Sequence, residues 1–328
     1  MRPVSAGRLW GELRSLLREA GEVSLKLYRI MIPILIGVKI VQELGGIAYL
    51  AMPLKPLMAL VGLPPEMGLV WATALINNIY GGIIVFLTLP ESQALTSAQA
   101  TVLCTMILVA HSLPVEVRIA QESGTRFIFQ ALIRIVGALA LGALLHGIYS
   151  GFGLLQQENV IFWQGEVTAQ ASLLQWGLDQ VRNLALIFGI ILGLILVMRL
   201  LDCIRATDFF VWLLGPLLRA LGIGREAAPL TIIGMIMGLT YGGGLIIKES
   251  RSGRVSSRDV FASLTLMGLA HSMIEDTLLM MVLGGHLSGI LWARVLFALA
   301  VVSLLVHSLS RLPERWIHRF LYATPRRA

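Results

Sequence analysis

The chain has 328 residues, of which 56% are hydrophobic and 14% charged, with a formal net charge of +7. Soluble domains are about one-quarter charged, so this composition excludes an ordinary water-soluble enzyme, a disordered chain and a disulfide scaffold. A mean hydropathy of +0.80 points to a polytopic membrane protein.

Residues 1–25 mix Arg8, Glu12, Arg14, Arg18 and Glu19 with an apolar face of Leu9, Trp10, Leu13, Leu16 and Leu17. Those charges interrupt any signal-peptide core, and the pattern predicts a cytoplasmic interfacial amphipathic helix. A span is expected near 27–48. A segment near 66–88 then enters and returns, and spans follow near 97–121 and 125–149. A polar linker over 151–180 carries no Lys or Arg between 150 and 180 and is expected outside. Beyond it lie a span near 182–201, a re-entrant segment near 226–247, and spans near 257–283 and 287–310. Residues 311–328 form a basic cytoplasmic tail. Short amphipathic pieces near 53–63 and 209–221 precede the re-entrant segments. Each crossing offers about the 20 apolar residues a bilayer requires.

The chain resembles itself at a shift of 160 residues. Pro56, Leu57, Gly62 and Glu66 pair with Pro216, Leu217, Gly222 and Glu226. Ala110-His111-Ser112 pairs with Ala270-His271-Ser272, and Arg134 with Arg294. Tyr80-Gly81-Gly82 meets Tyr241-Gly242-Gly243 after one residue of slippage. Two homologous halves result, 26–150 and 181–310. Residues 90–100 lack Lys and Arg, whereas 250–260 contain Arg251, Arg254 and Arg258. Equivalent loops therefore belong on opposite sides of the membrane, which is the mark of an inverted-topology repeat. The expected fold is an all-α integral membrane protein. Each repeat has about three spanning helices and one broken re-entrant segment, and both termini lie in the cytoplasm of a bacterial inner membrane.

Three constellations carry candidate chemistry. Asn77, Asn78, Tyr80, Gly81 and Gly82, with Thr240, Tyr241, Gly242, Gly243 and Gly244, interrupt the re-entrant segments near their middles. Broken backbone at membrane depth survives only where protein or a watery cavity satisfies it, so these residues are candidate solute contacts. The other reading of the glycines is close helix packing. His111, Ser112 and Glu116, with His271, Ser272, Glu275 and Asp276, are candidates for handling a coupling proton or cation. His271 and Glu275 are four apart and would share a helix face, and Pro114 predicts a kink after His111. Arg134 and Arg294 would balance the carboxylates, bind an anion, or snorkel to the interface. Lys39 and Glu43 are expected to pair. Cys104 and Cys203 show no metal or redox spacing, and no metal signature, nucleophile motif or phosphate-binding loop appears. No resident cofactor, catalytic residue or metal is expected, and the basic clusters lack any nucleic-acid motif.

At Pro56…Gly62…Glu66…Asn77-Asn78-Ile79-Tyr80-Gly81-Gly82 and its counterpart Pro216…Gly222…Thr240-Tyr241-Gly242-Gly243-Gly244, the chain resembles the nucleoside-recognition, or Gate-domain, family of bacterial membrane proteins. That family includes spore-maturation membrane proteins and the membrane gates of ferrous-iron transporters, and it is similar to part of concentrative nucleoside transporters. The resemblance implies a Gate-like transport core. The sequence departs from the iron transporters in having no GTP-binding domain and no cysteine in its re-entrant turns.

The expected function is therefore secondary transport of a small polar or anionic solute, coupled to a proton or cation, by a protein that is not an enzyme. A non-transporting assembly or signalling subunit, and a membrane enzyme acting on an amphiphilic substrate, are the alternatives. Expected partners are membrane lipid, the solute, and a second copy or a membrane subunit.

Overall fold

A computed structural model describes residues 6–162, 173–251, 254–309 and 321–322. The described residues are helical throughout, with no strand among them. In the first half, α1 (Ala6–Glu43) is followed by α2 (Ile47–Ala51), α3 (Lys55–Leu60), α4 (Met67–Ile76) and α5 (Ile79–Thr88). Then come α6 (Ser97–Val109), α7 (Leu113–Glu122) and α8 (Phe127–Gly151). The second half has α9 (Leu173–Cys203), α10 (Ala206–Ala220), α11 (Ala227–Met237), α12 (Leu239–Arg251), α13 (Ser257–Leu269), α14 (Glu275–Val282) and α15 (Arg294–Leu309). A π-helical stretch, Ser288–Ala293, opens the last helix.

The halves share local conformation as well as sequence. Left-handed residues recur 160 positions apart: Gly62 and Gly222, Ser112 and Ser272, Gly124 and Gly284, and Gly45 and Arg205. Thr96 caps α6 by accepting from the Gln99 N–H at 3.2 Å, and Ser256 caps α13 by accepting from Asp259 N–H at 3.1 Å. The same third residue of each cap then ties its helix to the preceding turn. Gln99 donates to the Gly62 carbonyl at 3.0 Å, and Asp259 accepts from Gly224 N–H at 2.7 Å.

Side-chain and backbone contacts sort the loops into two ends. Asn159 N–H bonds the Leu95 carbonyl and its side chain bonds the Leu283 carbonyl, and Thr96 bridges Glu158. At the far end of the Ser97–Glu122 span, Ser250 donates to the Ser123 carbonyl and Arg126 donates to the Tyr322 carbonyl. Residue 123 and its counterpart 283 thus lie at opposite ends of the molecule.

From one end, α4 runs inward and α5 returns; from the other, α11 and α12 do the same. A ten-residue helix is about 15 Å long, half of a bilayer's roughly 30 Å hydrocarbon core, so neither α4 nor α5 is long enough to cross by itself. Two hydrogen bonds fasten these tips to the breaks in the central helices: Ser112 N–H to the Ala74 carbonyl (3.0 Å) and Met273 N–H to the Met235 carbonyl (2.8 Å).

Among the described residues, four stretches are long and apolar enough to cross a membrane: Ser97–Glu122, Phe127–Gly151, Leu173–Leu201 and Ser288–Ser308. Arg14–Glu43 with Ile47–Leu60, bent by 109°, is either a broken fifth span or a re-entrant loop. The Ser97–Glu122 window is 83% buried and that of Leu173–Leu201 only 17%. The first is therefore the centre of the bundle and the second its lipid-facing wall.

The sequence reading needs two corrections here. Residues 6–25 and the first span are not separate elements, because α1 runs unbroken from Ala6 through Gly21 and Pro33 to Glu43. The span expected at 97–121 is present, and it is interrupted at 110–112, where Pro114 predicts a kink and Ser112 is left-handed with φ 50°; the one expected at 257–283 breaks at 270–274. Most of the tail, and linker residues 163–172, lie outside the described residues.

Candidate functional site

The two helix breaks create the site. Ending α6 at Val109 and α13 at Leu269 leaves carbonyls without their usual partners four residues on. An arginine from the following long helix supplies donors to each. Arg134 donates from Nε to the Val109 carbonyl (3.0 Å), from Nη2 to the His111 carbonyl (2.9 Å), and from Nη1 to Glu116. Arg294 donates from Nη2 to the His271 carbonyl, the equivalent bond in the second half. Both arginines are 1% exposed. They do not snorkel; each caps a helix C-terminus, where the macrodipole favours a cation.

The histidines sit inside the same breaks. His111 Nδ1 donates to the Ile107 carbonyl at 2.9 Å and His271 Nδ1 to the Met267 carbonyl at 2.8 Å. With each ring anchored on its own helix, the Nε2 atoms face each other at 3.2 Å across the boundary between the halves. Glu116 Oε1 lies 3.5 Å from His111 Nε2 and 3.3 Å from His271 Nε2, and Asp276 Oδ2 lies 3.9 Å from His111 Nε2. His111, Glu116 and His271 are buried. Burying charge is costly unless it is paired; here Arg134 pairs with Glu116, and no ion pair joins Arg294 to Asp276 among the described residues.

The expected His271–Glu275 pair on one helix face does not form. The helix breaks between them, and Glu116 from the other half approaches His271 instead. Glu275 begins α14 beside Asp276 and is half-buried, as are Ser112 and Ser272. Lys39 and Glu43 pair at 2.6 Å, away from this cluster.

The residues of the re-entrant segments divide by role. Asn78 caps α5, its side-chain oxygen accepting from Gly81 N–H at 2.8 Å. Asn77 and Tyr80 are half-buried. A Cβ on Gly82 would stand 2.8 Å from Ala74 Cβ, one on Gly242 2.3 Å from Gly234 Cα, and one on Gly243 2.5 Å from an Ile119 methyl. Close packing therefore accounts for these three glycines, Gly82 and Gly242 between the arms of their own hairpins and Gly243 against α7. A Cβ on Gly81 would stand 2.9 Å from the Asn77 amide, while Gly244 faces open space. The side chains of Thr240 and Tyr241 lie outside the described residues.

Sequence reading missed Gln130, which is buried and donates to Thr265 Oγ1 at 3.1 Å, joining α8 to α13 across the halves. Its position four before Arg134, on the same helix face, was the available signal.

A buried set of paired charges and histidines within long apolar helices defines an all-α integral membrane protein. No protein-family model matches the chain, and no solved structure matches it. Over 288 residues it is 26% identical to the uncharacterized membrane protein YvoD of Bacillus subtilis (strain 168), across 85% of this chain and 89% of that protein.

Proposed function

We propose that this protein is a secondary transporter of a bacterial inner membrane with a Gate-like core and both termini in the cytoplasm. It moves a small polar or anionic solute between its two re-entrant hairpins and couples that movement to a cation held by the histidine–carboxylate cluster. The observation that carries the reading is the meeting of titratable groups from both halves at the two central helix breaks, to which the hairpins are hydrogen-bonded. A protein that only needed stability would fill that place with apolar side chains, because replacing buried ion pairs by such groups is often neutral or stabilising. Interrupted helices that meet at mid-depth are a recurrent design for solute and ion sites.

Uptake by proteoliposomes, with nucleosides, small organic anions and phosphorylated metabolites as candidate solutes, tests the proposal. Coupled uptake is expected for the unaltered protein and not for His111→Ala or His271→Ala. Unchanged coupling in both variants would remove the assigned role of the cluster. Cysteine labelling tests topology: residues 92–98 and 251–257 should react from opposite sides, and labelling from one side would end the inverted-repeat reading.

A further inference from the structure

We propose that His111, His271, Glu116 and Asp276 form a binding site for one divalent first-row transition-metal ion, shared between the two halves. The argument begins with hydrogen atoms. A backbone carbonyl only accepts, so Nδ1 of each histidine, bonded to Ile107 or Met267, must carry the proton. In the neutral rings both Nε2 atoms are then bare lone pairs, and they point at one another across 3.2 Å. Two lone pairs in that position repel unless a cation lies between them.

The spacing matches a metal ion. His111 Nε2, His271 Nε2 and Glu116 Oε1 form a triangle with edges of 3.2, 3.3 and 3.5 Å. Bonds of about 2.0–2.1 Å to nitrogen and oxygen in a tetrahedral ion place its ligand atoms about 3.3–3.4 Å apart. Asp276 Oδ2, 3.9 Å from His111 Nε2, is the fourth candidate ligand. His111, His271 and Asp276 also meet within 4.8 Å of one another. The surrounding bonds are those that orient metal ligands: each imidazole is fixed by a carbonyl at its other nitrogen, and Glu116 is held through its second oxygen by Arg134. Imidazole and carboxylate ligands without thiolate suit Zn2+, Fe2+, Co2+ or Mn2+ rather than Cu+. The two arginines and two carboxylates already balance, so the ion calls for a counter-anion. Arg294 offers one its Nε and Nη1 donors, which are buried and without a partner.

The ion's use in transport rests on the proposed function, but its binding does not. The test uses the full-length protein purified in detergent, stripped with a chelator and titrated with Co2+. One Co2+ per chain is expected, with the intense visible absorption of a four-coordinate ion. Glu43→Gln, away from the cluster, should keep that signal, Glu116→Gln should weaken binding at least tenfold, and His111→Ala and His271→Ala should abolish it. Binding no greater than that of the double histidine variant overturns the site and leaves a shared proton as the cation. Should the histidine variants fail to run as single species on gel filtration, X-ray absorption of the zinc-loaded unaltered protein decides. Two imidazoles around zinc support the site, and an all-oxygen shell overturns it. Metal bound without uptake removes the transport reading alone; uptake without metal removes this site alone.

Discussion

Glu116 and Asp276 hold equivalent places in the two halves, yet one methylene separates their outcomes. Glu116 reaches both Arg134 and the histidines, so all three Arg134 donor nitrogens are satisfied. Arg294, opposite the shorter Asp276, bonds the His271 carbonyl but has Nε and Nη1 buried without partners. The surroundings differ as well: α5 packs on α1 of its own half, whereas its counterpart α12 packs on α7 of the other half. A duplicated backbone thus supplies one geometry twice, and side-chain length makes one copy a closed ion pair and the other a cluster with donors to spare. Closed pairs hold a fold together; spare donors are where a ligand bonds.

The largest test removes the arginines one at a time. Arg134→Met strands a buried carboxylate and should cost about 3–5 kcal/mol, with Arg294→Met costing less than half as much in parallel unfolding in detergent. Equal losses would show that the asymmetry has no energetic weight. Next in size is Gly242→Ala, whose Cβ would press on Gly234 backbone that cannot yield. It should lose about 1–3 kcal/mol of stability, while Gly244→Ala, in open space, should be neutral or gain up to about 1 kcal/mol. A harmless Gly242→Ala would return that glycine to the candidate solute contacts.

Asp276→Glu would make the halves alike. The added methylene should let the carboxylate reach Arg294 and raise stability by about 1.5 kcal/mol, the worth of one charge-assisted hydrogen bond, again by unfolding in detergent. A loss would indicate that the shorter side chain is needed where it stands. The smallest effect belongs to Asn78→Ala, which removes the α5 cap for about 1 kcal/mol. Asn78→Asp keeps the cap, so uptake lost in both variants would mark a solute contact, and uptake lost only with alanine would mark a structural role.

Sequence alone determined the membrane class and the 160-residue self-similarity, and it named every ionisable residue that the structure brings together at the two central helix breaks. Composition and self-similarity are properties of the chain that survive without coordinates, and a charged residue in an apolar run announces its cost wherever it folds. The partners were not legible. Spacing on one helix joined His271 to Glu275, but the break at 270–274 cancels the four-residue periodicity on which that pairing depended. Glu116 and His271 are 155 positions apart in the chain and 3.3 Å apart in space. Only tertiary structure decides such a contact, because it depends on how the halves face each other. The same holds for the arginines, whose position inside a span left charge balance, anion binding and snorkelling open until the freed carbonyls at Val109, His111 and His271 were placed beside them.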